Sequence, residues 1–255
     1  MAGVPGRLRR TLGLLRSLWI YRRPGRLAGL KRLYQPLVPD DALVFDIGAH
    51  LGDRTRAFRA LGARVVAVEP QPELLRWLVR FHGGADGVTL LGLAVGAQAG
   101  RAELRVDPSN PSVSTLSQDW IKQIRQNNAG FSGLDWDGSV EVELTTLDAL
   151  IERYGRPDFC KIDVEGFEAE VLAGLSQPLP ALSVEFVSGT LNRTETCVRY
   201  LQALADYRYN VVCGEQRDMR WPEWRGPEAV LKWLAGGAEG IASGDLYARR
   251  ATLKE

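Results

Sequence analysis

From residue 40 onward, short apolar runs alternate with stretches in which apolar residues recur at helical spacing. The runs ALVFDI (42–47), ARVVAVE (63–69) and DFCKIDVE (158–165) are rich in strand formers, which predicts buried strands. The segment 71–81 places apolar side chains at i, i+3, i+4 and i+7, which predicts one buried helix face. Strands that alternate with helices predict an α/β fold: a doubly wound, mostly parallel sheet with helices on both faces.

Two parts of the chain depart from this alternation. Residues 107–139 are rich in Pro, Ser, Asn and Gly and separate two alternating segments that predict half-exposed strands, 100–106 and 140–147. Long insertions in compact folds are often functional, so we expect 107–139 to form the substrate side of a site. Residues 1–39 predict a basic helical extension in front of a main domain at 40–255.

The first 39 residues carry nine Lys and Arg residues and no acid, although the net charge of the whole chain is only +1. Their apolar run, 11–21, is interrupted by Arg16 and is too short to span a membrane. Basic residues and a proline at 22–24 replace the small residues of a signal-peptide cleavage site. We predict a cytoplasmic protein with a solvated or self-packed N-terminal helix. The alternative is peripheral contact of residues 1–34 with anionic lipid or a negatively charged glycan carrier.

The cysteines and the overall charge exclude several classes of protein. Cys160, Cys197 and Cys213 are far apart and odd in number, which predicts neither a disulfide framework nor a zinc cluster and agrees with a reducing cytoplasm. A nucleic-acid substrate is not expected, because the near-neutral chain lacks the basic footprint of nucleic-acid-binding domains. The fourth strand of the predicted parallel sheet also ends in DVEG (163–166) and not in the Asn/Asp-Pro-Pro-aromatic motif of amino-methylating DNA enzymes.

Acids and glycines stand at the carboxyl ends of the predicted strands, where such sheets bind ligands. In FDIGAHLGDRT (45–55), Asp46, Gly48 and Gly52 form a glycine turn that opens onto the free N–H groups of a helix. The turn lacks both the G-x-G-x-x-G spacing of dinucleotide folds and the Gly-Lys-Ser/Thr of a P-loop. A carboxylate there would repel a pyrophosphate and attract an ammonium or sulfonium group.

Two further strand ends are also acidic and help to define the predicted ligand. Glu69 follows Gly48 by 21 residues, a position from which a carboxylate can accept both hydroxyls of a ribose. Together the two strand ends predict a positively charged nucleoside, which S-adenosylmethionine is; NAD is the alternative ligand. Asp163 and Glu165 at the third strand end would either face the same crevice or cap the following helix.

Four segments, in this order, resemble the FkbM family of S-adenosylmethionine-dependent methyltransferases: VFDIGAHLGDRT (44–55), VVAVEPQP (65–72), TTLDAL (145–150) and CKIDVEGFEAEVLAGL (160–175). The resemblance covers about residues 40–187. It implies a Rossmann-like, seven-stranded class I methyltransferase sheet whose last strand is antiparallel. It also implies methyl transfer to a hydroxyl, commonly of a sugar in a polysaccharide, glycolipid or glycosylated metabolite.

Matched position by position, the resemblance places the cofactor along the first turn, at the second strand end and beside the third. The implied cofactor-binding residues are Asp46, Gly48, Ala49, His50, Gly52, Thr55, Glu69, Pro70, Ala94, Val95 and Asp163. A sugar hydroxyl is a poor nucleophile until its proton leaves, so a general base is expected. Candidate catalytic residues are Asp163 as first choice, Glu165 and His50, and more weakly Glu185. No metal is predicted, although three of these are carboxylates of the kind that can hold Mg²⁺.

Recognition of a small-molecule or glycan hydroxyl acceptor is expected on PSVSTL (111–116) and GLDWDG (133–138), which offer hydroxyls, acids and Trp136, or on MRWPEWRG (219–226). The alternative is that these tryptophans only pack the periphery. His82 is predicted to lie on the surface. The competing function is a non-catalytic nucleotide-binding or scaffold domain in polysaccharide assembly, but acids at three strand ends favour an enzyme.

Overall fold

The computed structural model describes residues 23–107 and 110–251 and confirms the alternating α/β pattern. In chain order the elements are α1 (Arg26–Tyr34), β1 (Leu43–Ile47), α2 (Asp53–Arg59), β2 (Arg64–Val68), α3 (Pro72–His82), β3 (Val88–Leu91), β4 (Ala94–Val95), β5 (Gly100–Val106), α4 (Gln118–Asn127), β6 (Gly138–Thr145), α5 (Leu147–Tyr154), β7 (Phe159–Ile162), α6 (Glu168–Ala173), β8 (Ala181–Val187), α7 (Leu191–Leu204), β9 (Tyr207–Cys213), α8 (Pro227–Ala235) and β10 (Ser243–Arg250). Short 3₁₀ turns lie at Pro111–Val113, Ala129–Phe131 and Ala238–Gly240.

The main sheet has seven strands in the order β3-β2-β1-β7-β8-β10-β9. β10 is antiparallel to both of its neighbours, and the other paired strands are parallel. This topology confirms the expected seven-stranded sheet with an antiparallel last strand. The sheet grows in one direction from β1 and in the other from β7, so the crevice between these central strands is the topological switch point, where α/β sheets bind ligands. A separate sheet of order β4-β6-β5 lies in the region before α5.

The register brings three strand ends to one level. Ile47 at the end of β1 pairs with Val68 on one side and with Ile162 on the other. Gly48, Glu69 and Asp163 are each the first residue after these three positions. The acids and glycines that the sequence places after separate strands therefore converge on one edge of the sheet.

Helix α1 belongs to the core of the main domain. Tyr34 is fully buried, and its ring centroid lies 4.5 Å from that of Phe58 and 5.6 Å from that of Phe159. Burial of one such aromatic side chain stabilises a fold by about 1.5–3 kcal/mol. The part of the predicted extension that the structure describes is thus packed against the sheet. Residues 1–22, which carry much of the basic run, lie outside the described residues, and so does most of the segment with the predicted lipid contact.

The insertion between β5 and β6 has its own apolar cluster around α4. Trp120, Ile124 and Trp136 are buried there, and the indole N–H of Trp136 donates a hydrogen bond to the carbonyl of Val113 (2.7 Å). The two indole rings meet edge to face, with centroids 5.9 Å apart. These contacts make the described part of the insertion a packed element with its own small core.

The three cysteines, Cys160, Cys197 and Cys213, are free thiols.

The tryptophans of the segment 219–226 pack against the main domain. Trp221 is buried in the main core, and the guanidinium of Arg249 lies 4.6 Å above the ring of Trp224. None of the helices in the described ranges combines the length and apolar character that a bilayer crossing requires.

Candidate functional site

A cavity of about 260 Å³ opens at the carboxyl ends of β1, β2 and β7, where the topology places a ligand site. Most residues that the sequence assigns to the site meet here, together with side chains from the insertion and from the loop after β9. The lining consists of Ile47, Gly48, His50, Val68, Glu69, Pro70, Gln71, Leu93, Ala94, Val95, Leu104, Ser112, Ser114, Leu116, Asp163, Val164, Glu165, Phe167, Glu185 and Glu215.

Gly48 allows the turn after β1 to approach β7 closely. Its φ is +80°, and a Cβ at this position would lie only 1.8 Å from the carbonyl oxygen of Asp163. The N–H groups of Gly48 and Ala49 both donate to the carbonyl of Val68, at 2.9 and 3.0 Å. The turn therefore joins the ends of β1 and β2, and only glycine leaves room for β7 beside it.

Four of the predicted cofactor residues lie behind the cavity and shape the turn from within. Asp46 is 1% exposed and accepts a hydrogen bond from the hydroxyl of Thr55 (2.6 Å), which ties β1 to the first turn of α2. Ala49 and Gly52 are likewise absent from the lining. A Cβ on Gly52 would meet the imidazole of His82 at 2.4 Å. His82 is buried there, so its predicted surface position is wrong.

Glu69 is held as a fixed acceptor at the end of β2. One carboxylate oxygen accepts the N–H of Gln71 (2.9 Å) and the other accepts the N–H of His50 (2.8 Å). Burial raises the pKa of Glu69 to about 7, although these two hydrogen bonds act in the opposite direction. Each carboxylate oxygen has a second lone pair, so the group can still accept hydroxyl donors from the cavity. This is the arrangement that a ribose diol requires.

His50 lines the cavity with its imidazole and fixes Glu69 with its backbone. Its φ of +52° lies in the left-handed region, which is uncommon for a residue with a side chain. Burial lowers the pKa of the imidazole to about 4, against the opposing charges of Asp163 and Asp53. At neutral pH the ring is therefore uncharged and can accept a hydrogen bond, but it binds a proton less readily than an ordinary histidine does.

Asp163 is paired with an ammonium group that lies inside the sheet. The side chain of Lys161 is 2% exposed, and its Nζ lies 2.7 Å from a carboxylate oxygen of Asp163 and 3.6 Å from one of Asp245. Burial raises the pKa of Asp163, but the charge and hydrogen bond of Lys161, together with the charge of Arg54 and a hydrogen bond with Glu185, lower it overall. Asp163 is thus an ionised carboxylate of low basicity. This state suits an orienting group better than a general base.

Glu165 and Glu185 adjoin Asp163 in a different protonation state. One oxygen from each of the three side chains lies within 4.8 Å of the other two. Burial, followed by the negative charge of Asp163, raises the pKa of both glutamates well above the usual range. A buried carboxylate whose pKa is raised binds a proton more strongly than an ordinary one, which is a property of a general base. Three carboxylate oxygens at this separation could also surround a divalent cation.

The insertion contributes hydroxyl groups and no tryptophan to the cavity. Ser112, Ser114 and Leu116 line it, so the PSVSTL segment lies at the site as expected. Trp136 is only 5% exposed and packs inside the insertion. The expectation that its ring meets the acceptor is therefore wrong. The segment 219–226 does not reach the cavity either; its tryptophans pack elsewhere, as the alternative interpretation held.

Several lining residues were not predicted from the sequence. Glu215 stands just after β9, so the rule of acids at strand ends could have identified it. Its carboxylate accepts from Arg26 (2.9 Å) and Arg217 (2.9 Å). Burial opposes these guanidinium groups, which together lower the pKa of Glu215 to about 2. No sequence pattern identifies Gln71 and Phe167 as lining residues, because the conformations of their loops alone place them at the cavity.

Comparisons with known proteins agree with this geometry. The family model of the FkbM methyltransferase domain matches residues 46–211. The hexuronic acid methyltransferase AglP of Haloferax volcanii is 25% identical over 179 residues, which are 69% of this chain and 67% of AglP. The methyltransferase sdnD of Sordaria araneosa is 26% identical over 162 residues, which are 55% of this chain and 62% of sdnD.

Among solved structures, precorrin-6y C5,15-methyltransferase of Geobacter metallireducens has a TM-score of 0.46 and 15% identity, over 89% of this chain and 86% of that one. The fibrillarin of Aeropyrum pernix with bound S-adenosylmethionine has a TM-score of 0.46 and 11% identity, over 89% and 75%. The family model, in contrast, covers well over half of the sequence and includes the first turn, Glu69 and the acids after β7. The chain therefore belongs to the FkbM methyltransferase family and is an S-adenosylmethionine-dependent methyltransferase.

Proposed function

We propose that the methyl group is transferred to a hydroxyl of a sugar within a polysaccharide, a glycolipid or a glycosylated metabolite. The observation that carries this proposal is the position of Glu165, whose carboxyl group adjoins Asp163 and lines the same cavity as Ser112 and Ser114. The relative AglP, whose name makes a hexuronic acid its substrate, supports a carbohydrate acceptor.

The residues at the ends of β1 and β2 fit the cofactor. S-adenosylmethionine supplies, when bound, a methyl group on a positively charged sulfur. Glu69 presents carboxylate oxygens for the ribose hydroxyls, and Ala94 and Val95 offer an apolar wall for the adenine. Among the described residues that line the cavity, none is Lys or Arg. The lining thus offers acidic and no basic side chains, which favours a cationic ligand and disfavours a pyrophosphate.

Deprotonation of the acceptor is assigned to Glu165. Burial beside Asp163 makes the carboxylate of Glu165 a stronger base than an ordinary carboxylate, and general-base catalysis contributes about 10²–10⁴-fold. The ionised carboxylate of Asp163 would accept a second hydrogen bond and orient the acceptor. Alignment of the hydroxyl with the methyl group supplies the larger share of the acceleration, up to about 7–11 kcal/mol in favourable systems.

The decisive experiment joins ligand binding to turnover. Purified protein is heated with S-adenosylmethionine, with its demethylated product or with NAD, and its melting temperature is recorded. It is then incubated with S-adenosylmethionine and a panel of methyl glycosides, and the demethylated product is measured. We expect stabilisation by both methyl-cycle ligands and product formation with at least one glycoside. Stabilisation without turnover on any hydroxyl compound would favour the scaffold function, and stabilisation by NAD alone would favour a dinucleotide enzyme.

A further inference from the structure

The proposed base stands on a turn that needs outside support. Glu165 has a φ of +52° and Gly166 a φ of +84°, so two consecutive residues lie in the left-handed region. Glycine adopts this conformation readily, but a residue with a Cβ does so against a steric penalty. The side chain of Glu165 can therefore point steadily into the cavity only if neighbouring groups fix the backbone of this turn.

Glu168, which begins α6, supplies one such support. Its side chain is 4% exposed, and one carboxylate oxygen accepts the N–H groups of Val164 and Gly166, both at 3.1 Å. These two groups flank Glu165 on either side. This shared acceptor thus holds the Asp163–Val164 and Glu165–Gly166 peptide units, which lie on the two sides of the left-handed residue.

Arg193 and Trp120 hold the same turn from the other side. The guanidinium of Arg193, on α7, donates to the carbonyl of Gly166 (2.8 Å) and to the side chain of Gln123 (3.4 Å) on α4. The indole of Trp120 lies directly on Gly166, where a Cβ would come within 2.1 Å of the ring. Through these contacts α4 of the insertion packs against the turn that contains Glu165.

We propose that Glu168 is a positioning residue, which fixes the 163–167 turn through the N–H groups of Val164 and Gly166 and so directs Glu165 at the acceptor hydroxyl. Glu168 itself does not line the cavity, so it acts through the turn and not on the substrate. This inference rests on the proposed function, in which Glu165 takes the proton from the acceptor.

Three variants of the full chain test the role of Glu168. Glu168→Ala removes the acceptor, while Glu168→Gln keeps an oxygen that can accept the same two N–H groups. Asp158→Asn is the matched control, because the carboxylate of Asp158 accepts the N–H of Leu43 (2.9 Å) at the opposite ends of β1 and β7. For each variant, kcat and KM are measured with the methyl glycoside that the wild type methylates best, and the Kd of S-adenosylmethionine is measured by calorimetry.

We expect Glu168→Ala to lower kcat about 100-fold, because a displacement near 1 Å has an effect of this order on positioned catalytic groups. The Kd of S-adenosylmethionine should stay at the wild-type value, Glu168→Gln should restore most of kcat, and Asp158→Asn should leave it unchanged. A wild-type kcat in Glu168→Ala would overturn the proposal. So would a Glu168→Gln variant as inactive as Glu168→Ala, since the charge and not the hydrogen bonds would then matter.

Amide hydrogen exchange gives a second measurement that does not depend on turnover. In Glu168→Ala the amides of Val164 and Gly166 should exchange faster, while those in the middle of β1 keep their protection. Unchanged exchange at both amides would overturn the proposed support. A wild-type protein that methylates no hydroxyl compound would instead contradict the proposed function, and faster exchange in the variant would still demonstrate that Glu168 holds the turn.

Discussion

The cavity has two walls that are built in different ways. The proposed cofactor wall, residues 48–50 and 69–71, follows β1 and β2 directly and is fixed by backbone hydrogen bonds to Val68 and to the carboxylate of Glu69. The proposed acceptor wall, residues 112–116, 163–165 and Glu185, contains side chains from the insertion, from the end of β7 and from β8. The first wall is a property of two adjacent strands. The second wall combines residues that are distant in the sequence, so it forms only when the insertion has packed against the ends of β7 and β8.

Replacement of the proposed base should affect catalysis without affecting cofactor binding, and this is the largest effect expected. We expect Glu165→Gln to lower kcat by about 10²–10⁴-fold, the usual contribution of a general base, with the Kd of S-adenosylmethionine unchanged. Single-turnover methyl transfer and calorimetry measure the two quantities. Glu152→Gln, at an exposed position on α5, is the control. A variant that keeps wild-type kcat would remove Glu165 from the mechanism.

Gly48→Ala should damage the cofactor wall through sterics alone. The new Cβ would lie 1.8 Å from a backbone oxygen, and the residue would keep a φ of +80°, so we expect a loss of about 2–4 kcal/mol in the free energy of unfolding. Chemical denaturation measures it. Gly62→Ala is the matched control, since Gly62 also has a positive φ (+89°) but nothing within 4 Å of its Cβ position. Equal losses in the two variants would show that the close approach to β7 is unimportant.

The contribution of Glu69 to stability should depend on pH. Its pKa in the folded protein is about 7 against an ordinary 4.5, so the folded state holds the proton more tightly than the unfolded state. Its contribution to stability is complete below pH 4.5 and is lost as the pH rises to 7. Between pH 4.5 and pH 7 the free energy of unfolding of the wild type should fall by about 1–3 kcal/mol relative to that of Glu69→Gln. Melting temperatures of the two proteins across this pH range measure the difference. A difference between the two proteins that does not change with pH would contradict this assignment.

The same variant should also weaken the cofactor. Removal of a charged hydrogen-bond acceptor costs about 1.5–3 kcal/mol, so the Kd of S-adenosylmethionine should rise by roughly 10–100-fold in Glu69→Gln. The value of kcat at saturating cofactor should change much less. That pattern is the reverse of the one expected for Glu165→Gln, and identical patterns in the two variants would break the division into two walls.

Chelation tests whether the acceptor wall needs an ion. Lys161 already neutralises Asp163, and the cofactor brings a positive charge, so we expect the initial rate to be unchanged after exhaustive treatment with EDTA. The rate is compared with that of the untreated enzyme and after addition of Mg²⁺. Loss of activity on chelation, with recovery on Mg²⁺, would assign a divalent cation to Asp163, Glu165 and Glu185.

The smallest effect is expected from the basic N-terminal segment. Removal of residues 1–22 leaves α1 and its buried Tyr34 in place, whereas removal of residues 1–34 would also remove part of the core. We expect the shorter protein to float with anionic vesicles no less than the full chain does. Lower recovery of the shortened protein would support the lipid contact.

The sequence predicted which strand ends meet better than which side chains face the cavity. Periodicity located the strands, and the rule for strand ends then brought Gly48, Glu69 and Asp163 together, because register alone sets these positions. The predicted cofactor residues Asp46, Ala49, Gly52 and Thr55 do not line the cavity. Distances that depend on packing were not predictable. The placement of Trp136 is set by the interior of the insertion, and the low basicity of Asp163 follows from Lys161, a buried cation that no periodicity reveals.

Helix α1 reaches the rim of the cavity through one side chain. Arg26 bridges Asp53, at the start of α2 (2.7 Å), and Glu215, at the rim (2.9 Å). A shortened protein that began at residue 40, where the family resemblance starts, would lack this bridge and leave the carboxylate of Glu215 with less compensation. The entrance would then be more negative, so the ion pairs at the rim of the cavity depend on a helix that lies upstream of the segments with the family resemblance.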